Sequence, residues 1–138
     1  MEDEMVNWNE KLITAAQYGA IQEVKLCIQN LTDIDYENCV NTALLEAASN
    51  GHLEVIKLLF VSGCKKETTE IDGRTALHLA AGCGSLRLTR YLVEHIGICP
   101  LVTTNQGYTP YDLAAAGQRW QYIEVMEYLH VHILISYK

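Results

Sequence analysis

The sequence predicts an all-α fold in which one small unit is repeated and stacked. Three observations predict it. A block recurs 33 residues apart: Thr42-Ala43-Leu44-Leu45-Glu46-Ala47-Ala48, closed by Gly51, returns as Thr75-Ala76-Leu77-His78-Leu79-Ala80-Ala81, closed by Gly84. Each block has apolar residues at helical spacing, followed by a second apolar stretch with the same period. The 138 residues are 49% hydrophobic and 20% charged, enough for a core that needs neither disulfides nor metal. Two helices this short cannot cover both their apolar faces, so neighbouring units must cover them.

Unit one, about residues 7 to 38, is the faintest copy. It keeps Leu12, Ala15-Ala16, Gly19 and Val24-Lys25-Leu26, but Asn9-Glu10-Lys11-Leu12 stands where unit three has Thr-Ala-Leu-His. End units face water on one side and are expected to be atypical. Glu2 to Lys11 are expected to form an N-terminal cap, with Trp8 on the outer side of the first helix pair. Unit two, about 39 to 71, holds the clear copy from Thr42 to Leu59.

Unit three, about 72 to 104, is the fullest. Thr75 can cap a helix whose Leu77, Ala80 and Ala81 share one face, and the small Ala-Ala pair lets a neighbour come close. Gly84 stops that helix as a left-handed glycine does, Leu88, Leu92 and Val93 make the second stripe, and Gly97 ends it. Unit four, about 105 to 138, opens at Thr109-Pro110-Tyr111-Asp112-Leu113-Ala114-Ala115 and resumes at Ile123, Val125-Met126 and Leu129.

These residues resemble the ankyrin repeat family, whose signature T-P-L-H-x-A-A-x-x-G precedes an apolar helix and a Gly-ended loop. The likeness runs from about residue 9 to 131, and unit three departs from it mainly by Ala76 in place of Pro. The resemblance implies one all-α ankyrin-repeat solenoid over 1-138: antiparallel helix pairs stacked in a curve, with β-hairpin-like finger loops at right angles. It implies protein binding through the finger tips and the concave face of the first helices. It also gives His78 a structural role, its ring bonding to the Thr side chain and nearby backbone, with Asp112 in the same slot of unit four.

Two departures from the pattern carry expectations. Gly73 and Gly107 sit two residues before Thr75 and Thr109, where a turn can require positive φ, but Val40 sits two before Thr42. A β-branched residue would be strained there, so the first finger should differ in shape, with Asn38-Cys39 supplying the turn. Thr to the late Leu spans 17 residues in units two and three (Thr42 to Leu59, Thr75 to Leu92) but 20 in unit four (Thr109 to Leu129), which places an insertion near Gly117-Gln118-Arg119-Trp120. Trp120 has two readings: a lid folded back on the last helix pair, or an exposed anchor for a partner, as Trp and Arg are enriched in binding hot spots. The apolar tail from His130 to Lys138 either extends the last helix as a cap or offers a surface for a second molecule, and a third reading is a chain cut before its next repeat.

Catalytic chemistry finds no support. There is no phosphate-binding loop, nucleophile elbow, HExxH helix or paired zinc knuckle. No cofactor and no metal is expected; His130 and His132 would point about 200° apart on a helix. A net charge of −7 argues against nucleic acid and anionic membrane as partners. The acidic start lacks a secretory h-region, and five cysteines without CxxC spacing suit reduced thiols, so a cytoplasmic or nuclear location is expected. Cys27 and Cys64 are expected to be buried, with Cys39 and Cys83 the more exposed thiols. Lys25, Lys57 and Arg90 make a basic row on the convex side, expected to be a solvated face.

The expected work is non-catalytic binding of another protein. Carried over position by position, the family's binding surface has finger tips Asn38, Cys39 and Asn41, then Ile71, Asp72 and Arg74, then Asn105, Gln106 and Tyr108. Its floor is Ser49 and Asn50, then Gly82 and Cys83, with Arg119 and Trp120 at the far end. A monomer is expected, with self-association through the apolar C-terminal end as the alternative.

Overall fold

The structure is a computed structural model that describes residues 6–31, 36–117 and 119–136. Among them are eight helices: α1 (Trp8–Tyr18), α2 (Ile21–Asn30), α3 (Tyr36–Ser49), α4 (Leu53–Val61), α5 (Ala76–Gly82), α6 (Leu86–Tyr91), α7 (Pro110–Ala115) and α8 (Gln121–Ser136). The chain is an ankyrin-type stack. The first helices of successive pairs, α1, α3, α5 and α7, pack in a row, each also against its own second helix. The expected cap residues Glu2 to Met5, inserted Gln118 and the tail's Tyr137 and Lys138 lie outside the described residues.

Local chemistry sets the helix ends. Gly19, Gly51 and Gly84 close three of the first helices with φ between 73° and 76°, a region glycine enters without penalty. Thr75 and Thr109 cap α5 and α7 through reciprocal bonds. Thr75 Oγ1 accepts from the His78 N–H (3.3 Å) while His78 Nδ1 accepts from the Thr75 N–H (3.1 Å). Asp112 does the same with a carboxylate, accepting from the Thr109 N–H at 2.8 Å. The expected equivalence of His78 and Asp112 is therefore a shared capping role. The helix from Leu86 continues as a π-helical turn over Leu92–Ile96, ended by Gly97, whose N–H reaches back to the Leu92 carbonyl at 3.0 Å.

The core lies between the rows. Leu12, Leu44, Leu77, Ile56, Leu59, Leu88 and Leu92 are fully buried, each leucine worth about 1.5–3 kcal/mol of transfer. The end is thinner: Ala81, Ala114, Val125 and Leu129 form a small second cluster under α8. The Tyr128 hydroxyl donates to Glu94 at 2.6 Å and ties that end to the preceding pair. Trp8 opens α1, half-buried against the core, with the Lys11 ammonium 5.5 Å from its ring centroid.

Two expectations need correction. The segment at Val40 does differ in shape from the one at Gly73, but not through a turn at Asn38-Cys39, because helix α3 begins at Tyr36 and runs through these residues. Val40 is helical and fully buried, and no described residue other than glycine has positive φ. Asn38 and Cys39 thus supply no turn. Burying Cys39 and Val40 outweighs a loop that Val40 could not have entered cheaply. The lid reading of Trp120 also fails: its ring is 73% exposed at the turn before α8. The described part of the tail extends the last helix to Ser136, yet Val131, Leu134 and Ile135 stand exposed along it.

Candidate functional site

Among the described residues two finger loops, one after α4 and one after the π-helical turn, are sewn together. In the first, residues 64–75, Thr69 and Thr75 form an antiparallel bridge, and the Glu70 N–H donates to the Arg74 carbonyl at 2.9 Å. Gly73 takes φ 89° to turn the tip. Arg74 locks it from within, its guanidinium 2.8 Å from Glu70 and 2.9 Å from Asp72. Desolvation works against the Asp72 carboxylate, but the Arg74 N–H, side-chain bond and charge outweigh it and hold this carboxyl below its ordinary range. Ile71, at the tip, is as exposed as in an open peptide (101%).

The second finger, residues 98–109, uses Thr104 as its organiser: the Thr104 N–H donates to the Tyr108 carbonyl (2.8 Å), and Thr104 Oγ1 accepts from the N–H groups of Gln106 and Tyr108. Asn105 then clasps the first finger. Its backbone N–H donates to the Asp72 carbonyl at 2.9 Å and its side-chain amide to the Ile71 carbonyl at 3.1 Å. A Cβ on Gly73 would lie 2.6 Å from Asn105 Oδ1, so the close approach needs glycine. From below, His78 Nε2 is 2.8 Å from the Tyr108 carbonyl. Tyr108 itself is half exposed and Gln106 is exposed.

Beside the first finger lies a groove of about 640 Å³. One wall is the finger, through Glu70, Ile71, Asp72 and Arg74; the other is helix α3, through Thr42, Leu45 and Glu46. Three of these residues, Ile71, Asp72 and Arg74, are expected finger-tip positions. Leu45 and Glu46 escaped the sequence reading, although Thr42, Leu45, Glu46 and Ser49 are spaced to share one helix face, a signal open to inspection.

The remaining expected positions divide. Asn38 is exposed on α3, but Cys39 is 4% exposed with its thiol 3.5 Å from the Asn9 carbonyl, and Asn41 accepts the Lys65 N–H at 2.9 Å. Cys39 therefore cannot touch a partner, and Asn41 serves as a loop brace. Ser49 and Asn50 are exposed at the end of α3, and Gly82 is exposed on α5. Cys83 turns back toward the preceding unit, its sulfur 3.3 Å from the Ala80 carbonyl and 3.7 Å from that of Ala48. Burial raises its thiol pKa, as it does more strongly for Cys64, pushed up to about 12. The exposed thiol is Cys99 instead. It escaped notice because it falls in the second finger rather than in the repeating block. Arg119 and Trp120 are exposed at the turn before α8.

On the convex side, Lys57 pairs with Glu54 at 3.4 Å and Arg90 with Glu94 at 3.6 Å, so two members of the basic row carry their own counter-charges. His130 and His132 both lie on α8, His130 toward Tyr111 and His132 against Tyr128. Among the described residues no helix is long and apolar enough to cross a membrane.

Comparison with known proteins agrees with this architecture. A family model described as ankyrin repeats (3 copies) matches residues 45–135, and another, ankyrin repeats (many copies), matches 12–60. The chain belongs to the ankyrin repeat family. It is 25% identical over 137 residues to the mitochondrial liver isoform of glutaminase from Mus musculus, covering 95% of this chain and 22% of that protein. It is 36% identical over 86 residues to protein phosphatase 1 regulatory subunit 12A from Mus musculus, covering 62% of this chain and 8% of that one. It is 34% identical over 86 residues to the human Notch-regulated ankyrin repeat-containing protein, covering 57% of this chain and 74% of that one. The chain thus spans less than a quarter of the glutaminase and the phosphatase subunit. Ankyrin repeats commonly bind other proteins and are typically non-catalytic.

Proposed function

We propose that this chain is a non-catalytic protein-interaction module that works inside the cell, holding its partner through the joined fingers and the groove beside α3. The supporting observation is Ile71. A fully exposed β-branched apolar residue, fixed at the tip of a finger stitched by Asn105, has no core to fill and faces the groove. Tyr108 adds an exposed aromatic on the neighbouring finger. Rigid apolar tips with paired charges around them suit the centre of an interface. The binding positions kept are Ile71, Asp72, Arg74, Asn105, Gln106 and Tyr108, with Ser49 and Asn50 at the floor's edge.

Affinity capture from the cells that make the protein tests this. Ile71→Ala with Tyr108→Ala should lose the partner while circular dichroism stays unchanged, and convex Lys57→Glu should keep it. Loss with Lys57→Glu and retention with the finger variant would reject the surface. Arg74→Ala is a poorer probe, because it also breaks the two ion pairs that shape the tip.

A second reading has its own support. Trp120, Ile123, Val131, Leu134 and Ile135 are all exposed along α8 and its entry turn, a row suited to association between copies of the chain. Light scattering across a concentration series decides it: a monomer at high concentration removes this reading and leaves the first intact.

A further inference from the structure

We infer that the groove between α3 and the first finger takes a basic protein segment, one that presents Lys or Arg next to an apolar side chain. This rests on the protein-binding reading above and specifies the partner's chemistry.

Three carboxylates, Glu46, Glu70 and Asp72, line the groove against one guanidinium, Arg74. Glu70 and Asp72 share Arg74. Glu46 is half-buried on α3, and among the described residues no cation lies within ion-pair distance of it. The groove therefore carries an excess of negative charge. Any partner covering it removes water from Glu46. A neutral or acidic segment would leave that carboxylate desolvated and unmatched, which is costly; a cation supplies the missing counter-charge. Leu45 and Ile71 flank these charges from opposite walls, so an apolar side chain beside the cation has a surface to meet on either side. The chain's net charge of −7 favours encounter with a basic partner by the same sign.

The test is a titration of the full isotope-labelled chain, followed by amide NMR shifts. The probes are two twelve-residue Gly/Ser peptides, one with Leu-Arg-Leu-Arg at its centre and one with Leu-Gln-Leu-Gln. The arginine peptide should bind more tightly and shift the amides of Leu45, Glu46 and Ile71. Glu46→Gln should weaken it about fivefold, while Glu124→Gln on α8, an equal change in net charge, should not. Equal binding of both peptides, no binding of the arginine peptide, equal weakening by both variants, or shifts confined elsewhere would each overturn the inference. If it fails while finger variants still abolish capture of the cellular partner, the surface stands and only the partner's charge is wrong.

Discussion

His78 donates from Nε2 to the Tyr108 carbonyl at 2.8 Å, a bond that runs from the floor of one repeat to the finger of the next. Its direction is settled by the other ring nitrogen. Nδ1 accepts the Thr75 N–H at 3.1 Å, so it carries no proton, and the single ring proton must sit on Nε2. The neutral ring thus caps α5 and holds the second finger at once.

Acid should undo this arrangement. Burial is the largest influence on His78 and lowers its pKa below the ordinary value, although the Tyr108 carbonyl pulls the other way. Protonation would also set an Nδ1–H against the Thr75 N–H. The unfolded chain binds a proton near pH 6.5, above the folded value, so stability is fully present above that point and lost as pH falls below it. Urea midpoints from pH 8 to 5 should fall with acid, and His78→Gln should flatten the change. Equal slopes in both proteins would contradict this role.

Gly73→Ala should loosen both fingers. The added Cβ meets Asn105 Oδ1 at 2.6 Å and its backbone nitrogen at 2.9 Å, and φ 89° is unfavourable for alanine. A loss of at least about 1 kcal/mol is expected, with faster amide exchange at Asn105. Gly107→Ala, with no atom within 4 Å of its Cβ, should disturb the first finger less.

Leu77→Ala should cost about 2–5 kcal/mol, because the side chain is fully buried in the stack. Trp120→Ala should move stability by no more than about 0.5 kcal/mol, since the ring is exposed. Thermal unfolding of the two variants side by side measures the contrast.

Thiol reagents should modify Cys99 first. Cys27 and Cys64 are buried with raised pKa values, and Cys83 is half-buried and likewise raised. Mass spectrometry after brief alkylation at pH 7.5 should find the label on the peptide containing Cys99. Early label on Cys64 would mean that the loop after α4 opens readily.

The stack was legible because its signals repeat. Leu44 and Leu77, one period apart, both land in the core, and the Thr75–His78 and Thr109–Asp112 pairs both form caps. The Val40 departure was legible as a warning but not as an outcome: a forbidden turn says what the chain avoids, not what replaces it. The replacement, helix α3 reaching back to Tyr36, follows from burial of Cys39 and Val40 against a neighbouring helix. That contact is tertiary, and no local pattern carries it. The groove was half legible for the same reason. Its finger wall sits in a recognisable turn, while its Leu45 and Glu46 wall became a wall only because α3 passes beside it.

Asn105 lies outside the groove's lining, yet its clasp on the backbone at Ile71 and Asp72 means that one repeat supplies the rim and the next one keeps it in shape. A shortened chain ending before that asparagine would retain every residue of the groove and still lose its outline. The groove is a property of the seam between two repeats, so swapping a single repeat into another scaffold would not carry its shape along.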